Sequence, residues 1–268
     1  MNNKIIVGIV AIATLAAAGA VYLINTPNTQ PVAAQPKLTP TPQEPKRHTV
    51  IRDLPAPGAI PDAPNPTIKP APAIKIVAPP AALTNSDATT QEAIADLSAD
   101  LPKWLTPEEQ LRKWVLMVEN AAKNNVLIKN QPLLFDAAPL QVNKQGSTTY
   151  LANNSSRSAT LVDTLTAINP AVLAHYYQAW SPLLEQAYSE LGQEGTFHSR
   201  LITALDNAIS IDPHAATGAE LVQPSVFYKF TNPELESASD LDKFFWRLGP
   251  ESATKLQAYL KNLEALIQ

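Results

Sequence analysis

The chain of 268 residues contains no cysteine, and this absence excludes several kinds of protein at once. Without cysteine there is no disulfide framework, no thiolate metal site, no cysteine nucleophile and no lipid-modified N-terminal cysteine. Glycine is also scarce, because only eight glycines are spread singly along the chain. Neither a phosphate-binding loop nor a dinucleotide-binding fingerprint fits that distribution. A chain free of cysteine also suits an oxidising compartment such as a periplasm.

Positive charge is in short supply in the C-terminal part of the chain. Residues 83–268 carry 13 Lys and Arg against 21 Asp and Glu, whereas residues 25–82 carry six basic side chains against three acidic ones. An acidic surface repels the phosphate backbone of nucleic acids and anionic lipid headgroups. We therefore expect no nucleic-acid partner for the C-terminal part.

A long apolar run near the N-terminus is free of charge from Ile5 to Ile24. Twenty residues at a helical rise of ~1.5 Å each span ~30 Å, the thickness of a bilayer's hydrocarbon core. Lys4 precedes the run and the next basic residue is Lys37, so the positive-inside rule places the N-terminus in the cytoplasm. We predict a single-pass anchor over residues 1–24, with the C-terminal domain on the outer side of the membrane, as in a periplasm.

Cleavage as a secretory signal peptide is the alternative for the same segment. Ala18, Gly19 and Ala20 form a small-residue triplet of the kind that signal peptidase accepts. The apolar run continues through residues 21–24, which favours retention because a cleaved peptide turns polar at this point. Both alternatives export the rest of the chain.

Proline dominates the region that follows the apolar run. Of the 25 prolines, 15 lie between Pro27 and Pro80, mixed with Ala, Lys, Thr and Gln. Proline at this density opposes helices and sheets and favours an extended polyproline II conformation. Residues 25–82 are therefore predicted to be a disordered proline-rich stem.

The pattern of apolar residues and helix caps in residues 83–268 predicts a mainly α domain with one small β-hairpin. The predicted helices cover residues 89–97, 107–123, 160–168, 170–191 and 196–211, followed by short helices after Asn232 and Ser239 and a last helix after Gly249. Thr106 is the predicted N-cap of the second helix, with Glu109 closing a capping box. The predicted hairpin pairs residues 140–143 with residues 147–152. Residues 224–230 are predicted to be a short helix.

Periodic stripes identify the buried faces of these helices. The stripe rich in aromatic residues consists of Leu173, Tyr176, Tyr177, Trp180, Leu184 and Leu191. The aliphatic stripe consists of Ala253, Leu256, Leu260, Leu263 and Ile267. His175 falls off the aromatic stripe and is expected to face solvent.

Polar side chains on the predicted helices supply the candidate binding residues, which are Glu119, Asn120, Tyr188, His198, Arg200, Asp206 and Arg247. His198 and Asp206 are eight positions apart and no second histidine follows at the fourth position, so we predict no metal ligands. No nucleophile turn is present, and no catalytic residue is assigned. No cofactor is expected.

Several stretches of the chain resemble the bacterial domain-of-unknown-function family numbered 3014. They are LPKWL (101–105), LRKWVLMVEN (111–120), SPLLEQAYSELG (181–192), FHSRLITALDNAI (197–209), LVQPSVFYKFTNPELESAS (221–239) and RLGPESATKL (247–256). The chain departs from the family pattern at Glu119, where aspartate is usual, and at residues 244–246, where leucine is usual. The resemblance implies an inner-membrane protein of Gram-negative bacteria and brings no activity with it.

Two hypotheses for function follow. The first is a non-enzymatic binding or scaffolding module that contacts another envelope component, since the sequence shows no catalytic constellation. The second is an envelope hydrolase with a site around His198, Arg200 and Asp206, which requires these side chains to converge. A proton-driven energy transducer has a similar layout, but the apolar run lacks the polar pair that such proteins carry inside the membrane.

Overall fold

The computed structural model describes residues 75–268, and the predicted anchor and nearly all of the stem lie outside the described residues. Eight α-helices and four β-strands follow one another in this part of the chain, which confirms the mainly α prediction. They are α1 (Asp87–Leu97), α2 (Gln110–Ala122), β1 (Val142–Gln145), β2 (Thr148–Leu151), α3 (Ser155–Thr166), α4 (Pro170–Ser189), α5 (Phe197–Ser210), β3 (Glu220–Val222), β4 (Lys229–Phe230), α6 (Pro233–Ser237), α7 (Asp240–Leu248) and α8 (Pro250–Glu264). A short 3-10 helix covers Leu101–Trp104. None of the helices in residues 75–268 is long and apolar enough to cross a bilayer.

The core lies between α2, α4, α5 and α8. Helix α2 packs most extensively against α5 and also contacts α4, while α8 lies against α3 and α5. The predicted stripes are confirmed, because Tyr176, Tyr177 and Trp180 of α4 are buried and so are Leu256 and Leu260 of α8. Burial of several whole aromatic side chains stabilises this core by ~1.5–3 kcal/mol for each large apolar group.

The β structure is larger than the single predicted hairpin. All four strands form one antiparallel sheet in the order β1-β2-β3-β4. The prediction of a helix over residues 224–230 is wrong, because Leu221 of β3 pairs with Phe230 of β4 and both side chains are buried. Lys229 and Phe230 form β4, which pairs with β3, and β3 itself has a partner remote in sequence, since Thr149 of β2 lies opposite Leu221. The β1–β2 hairpin itself is confirmed, although its turn covers residues 146–147 instead of the predicted 144–146.

The N-terminus of α2 corrects the predicted capping box. Glu108 and Glu109 both adopt the left-handed region, with φ of 57° and 56°, and the helix begins only at Gln110. The first helical N–H groups are capped from a remote element, because the Asp87 carboxylate accepts hydrogen bonds from the N–H of Glu109 and Gln110 at 2.8 Å each. Thr106 instead donates its hydroxyl proton to the Gln131 carbonyl at 2.7 Å.

Helix α3 begins at Ser155, five residues before the predicted start at Thr160. The buried Asn154 precedes it and fixes the chain there, because its side chain accepts a hydrogen bond from the Gln141 N–H at 2.8 Å and donates to the Ala152 carbonyl at 2.8 Å. Helix α1 begins at Asp87, two residues before the predicted start at Thr89. The predicted starts of α4 to α8 are confirmed, and the structure adds a capping box that Ser239 and Asp242 form at α7.

The last residues of the predicted stem contact the helical core. Tyr176 and Trp180 of α4 bind both main-chain groups of Val77: the Val77 N–H donates to the Tyr176 hydroxyl at 3.0 Å, and Trp180 Nε1 donates to the Val77 carbonyl at 3.1 Å. The Tyr176 hydroxyl in turn donates to Asp96 Oδ2 of α1 at 2.5 Å. Residues 76 and 77 also pack against the core, so the folded unit begins before Leu83.

Candidate functional site

Glu119 of α2 lies at the centre of a charged cluster that joins three helices. Its side chain is 5% exposed, and Arg200 of α5 binds it with two bonds, Nε to Oε2 at 2.6 Å and Nη2 to Oε1 at 3.2 Å. Lys123, one turn further along α2, places Nζ 2.7 Å from Oε1. The Tyr188 hydroxyl of α4 lies 3.4 Å from Oε2 and donates to the Glu194 carbonyl at 3.1 Å. We call these four residues the Glu119 cluster.

The electrostatics of the Glu119 cluster hold its carboxylate ionised. Burial acts first and raises the pKa of Glu119, but the hydrogen bonds and charges of Arg200 and Lys123 outweigh burial, so the pKa lies below its ordinary value. The bonds from Glu119 raise the pKa of Arg200 correspondingly. A carboxylate with both oxygens occupied by cations is a poor proton acceptor and cannot act as a general acid near neutral pH.

The structure brings together only three of the seven predicted site residues, namely Glu119, Tyr188 and Arg200. His198 lies on another side of α5, where its Nδ1 is 3.2 Å from the Tyr177 hydroxyl. Asp206 is further along α5 and contacts Glu264, whose pKa is raised first by burial and then by hydrogen bonding with Asp206. The side chains of the hydrolase hypothesis are therefore engaged with different partners.

The remaining two predicted residues have local roles in the structure. Asn120 donates its side-chain amide to the Leu116 carbonyl of the same helix at 2.8 Å. Arg247, in the last turn of α7, lies beside Arg157 of α3, and Arg157 Nη1 is 3.4 Å from the main-chain carbonyl oxygen of Arg247. Sequence reasoning missed Arg157, which has no unusual spacing in the chain and becomes notable only through this neighbour.

A cleft of about 400 Å³ lies between the β1–β2 hairpin, the loop after α5 and the N-terminus of α8. Its lining includes Trp246 and a polar rim of Asn153, His214 and Glu251. Glu251 is engaged within the protein, since it accepts bonds from Asn153 Nδ2 at 3.0 Å and from the Ser155 hydroxyl. The bonds from Ser155 and Asn153 hold the pKa of Glu251 below its ordinary value. This carboxylate ties the first turns of α3 and α8 together.

Close packing explains why glycine precedes α8 at this junction. Gly249 has φ of 87°, and a Cβ atom added there would lie 2.3 Å from the Ser155 backbone nitrogen. The sequence had no signal for this contact beyond the helix stop at Gly249. Groups of three or more side chains able to hold a metal ion are absent from the part of the chain that the structure describes.

An exposed apolar surface lies on the hairpin formed by β3 and β4. Val222 is 48% exposed at the end of β3, and Val226, in the connecting loop, is 73% exposed. These two residues define what we call the hairpin tip. An exposed valine alone is ordinary, but this hairpin carries two, and Phe227 next to Val226 is also partly exposed.

Comparison with known proteins gives one result. The model of the family described as protein of unknown function (DUF3014) matches residues 110–264, which is more than half of the chain. No curated protein and no solved structure matches this sequence. The matched range begins with α2 and ends with α8, so it contains the Glu119 cluster, the Arg157–Arg247 neighbours and the hairpin tip. The chain belongs to the DUF3014 family.

Proposed function

We propose that residues 75–268 form a binding module without catalytic chemistry, which an N-terminal anchor and a proline-rich stem hold on the periplasmic side of a bacterial inner membrane. The observation that carries the proposal is the state of the Glu119 cluster. The Glu119 carboxylate has both oxygens paired with cations, and His198 and Asp206 are engaged with other partners. Such an arrangement fixes three helices relative to one another.

The hairpin tip is the surface that we assign to the partner. Val226 is 73% exposed in the loop that joins β3 and β4, where a partner surface can cover it. Apolar side chains that become enclosed in this way gain ~25 cal/mol for each Å² removed from water. The partner chemistry is therefore an apolar patch on another envelope protein.

Site-specific photo-crosslinking in cells tests this assignment with the full chain. A benzophenone amino acid replaces Val226 in one protein, and Gln91, an exposed residue of α1, in the control. We expect one discrete crosslinked product from position 226, none from position 91, and loss of that product when Val222→Asp is added. Equal crosslinking at both positions, or a product that Val222→Asp leaves unchanged, contradicts the proposal.

A further inference from the structure

Arg157, in the first turn of α3, is half-buried and has no carboxylate partner among residues 75–268. Its Nε donates to the main-chain carbonyl of Ala138, and its Nη1 donates to the carbonyl of Arg247 at 3.4 Å. Both acceptors are neutral. Removing a charged group from water without an opposite charge is costly, so buried arginines are normally paired with acids.

The electrostatics of Arg157 differ from those of the arginines that have partners. Burial, and then the charge of Arg247, lower the pKa of Arg157 from its ordinary value. Arg112 shows the opposite direction, since a hydrogen bond with Glu190, only 2.6 Å from its Nε, raises its pKa. The surroundings of Arg157 thus favour a positive charge less than water does, and a second positive charge stands beside it.

The hydrogen-bonding capacity of Arg157 is also incompletely used. A guanidinium has five N–H donors in a planar fork, and the described contacts occupy two of them. Three donors remain, on Nη1 and Nη2. That fork matches the two oxygens of a carboxylate or phosphate group, which accept parallel hydrogen bonds from it.

We infer that Arg157, with Arg247 beside it, binds an oxyanion, either a carboxylate or a phosphate group of a ligand. Arg157 supplies the hydrogen bonds, and the guanidinium of Arg247 lies beside the site. The anion supplies the opposite charge that this position lacks. The domain is acidic overall, so we expect an anion to bind where a guanidinium has no carboxylate partner among the described residues, as at Arg157. This site is separate from the hairpin tip and independent of the proposed protein partner.

Thermal unfolding of the full chain, purified in a mild detergent, tests the inference. Sodium phosphate and sodium acetate are each compared with sodium chloride at equal ionic strength. At about five times its dissociation constant, a bound anion raises the Tm by about 2–4 °C for a domain of this size. We expect this rise in the wild type, its loss in Arg157→Gln, and a smaller rise in Arg157→Lys, which keeps the charge without the fork.

The matched control is Arg112→Gln, which removes an arginine that already has a carboxylate partner and is expected to keep the full anion-dependent rise. A rise of equal size in Arg157→Gln overturns the inference, because the anion then acts elsewhere, and so does the absence of any rise over chloride in the wild type. A third variant, Glu44→Gln/Asp53→Asn/Asp62→Asn, removes the acids of the stem. If the rise appears only in this variant, the chain's own carboxylates are the anions, and an external ligand is ruled out.

Discussion

The Glu119 cluster and the surroundings of Arg157 both contain a charged side chain that is largely removed from water, but the charge has different neighbours in the two places. Each removes a charged side chain from much of its contact with water, which costs free energy unless an opposite charge replaces the water. Glu119 is bound by Arg200 and Lys123 from within the fold. Among residues 75–268, Arg157 has two main-chain carbonyls as acceptors and a second arginine beside it. The comparison indicates that the first group is structural, whereas the second requires something from outside residues 75–268.

The largest expected effect comes from removing a cation of the Glu119 cluster. Arg200→Gln leaves the Glu119 carboxylate buried with only Lys123 as a cation, so we expect the free energy of unfolding to fall by about 3 kcal/mol. Adding Glu119→Gln removes the unpaired charge and is expected to restore part of the loss. Urea unfolding of the single and double variants of the full chain measures the coupling.

The control for this comparison is an ion pair on the surface. Lys255 and Asp163 are 2.6 Å apart, with both side chains about half exposed, so Lys255→Gln is expected to cost under ~1 kcal/mol. If Lys255→Gln and Arg200→Gln lower the free energy of unfolding by similar amounts, burial does not make the Glu119 cluster contribute more to stability than a surface ion pair.

A smaller effect on the free energy of unfolding is expected when the pH is lowered. The pKa of Glu119 is lower in the folded state than its ordinary value of 4.5, so its contribution to stability is complete above pH 4.5 and is lost as the pH falls through the folded-state pKa. Glu119→Gln has no such titration, and its amide still accepts a bond from Arg200. We expect the difference in unfolding free energy between wild type and Glu119→Gln to shrink below pH 4.5 in urea titrations.

A difference that stays constant from pH 7 to pH 3 would contradict the depressed pKa of Glu119. Groups other than Glu119 titrate in both proteins, and they therefore cancel in the difference.

The smallest effect on the free energy of unfolding is expected from substitution of Arg157. In chloride alone, Arg157→Gln loses hydrogen bonds to two carbonyls but also removes a poorly solvated charge and its repulsion with Arg247. These contributions oppose each other, so we expect the unfolding free energy to change by no more than about 1 kcal/mol in either direction. A loss as large as that of Arg200→Gln would show that Arg157 has a strong internal partner.

Local patterns in the sequence were sufficient for most of the helices. Asn169, Thr196, Asn232 and Ser239 cap helices with their own side chains, and a cap is a contact between residues two or three apart. The prediction was wrong for α2, where Asp87 caps the helix from 22 residues away. It was also wrong for residues 224–230, which end in β4; that strand pairs with β3, and β3 is held by the β1–β2 hairpin, which is remote in the chain.

The candidate site was predictable only in part, for a related reason. Glu119, Tyr188 and Arg200 were chosen as polar residues on helices and do meet, but nothing in their spacing distinguishes them from His198 or Asp206, which have other partners. Arg157 could not be identified at all, because its importance comes from the neighbouring Arg247 and from main-chain carbonyls that are far away in the sequence.

The sequence by itself determined the helical class of the domain, most helix ends and the buried stripes, because helical periodicity and capping act over a few residues. It also supports the prediction of an anchor and a stem, which rests on composition. Only the tertiary structure decided the four-stranded sheet, the contact of Val77 with α4, and which charges have partners. These features depend on distances between residues far apart in the chain. Burial increases the effect of those distances, because charges interact more strongly with their nearest neighbours when water no longer screens them.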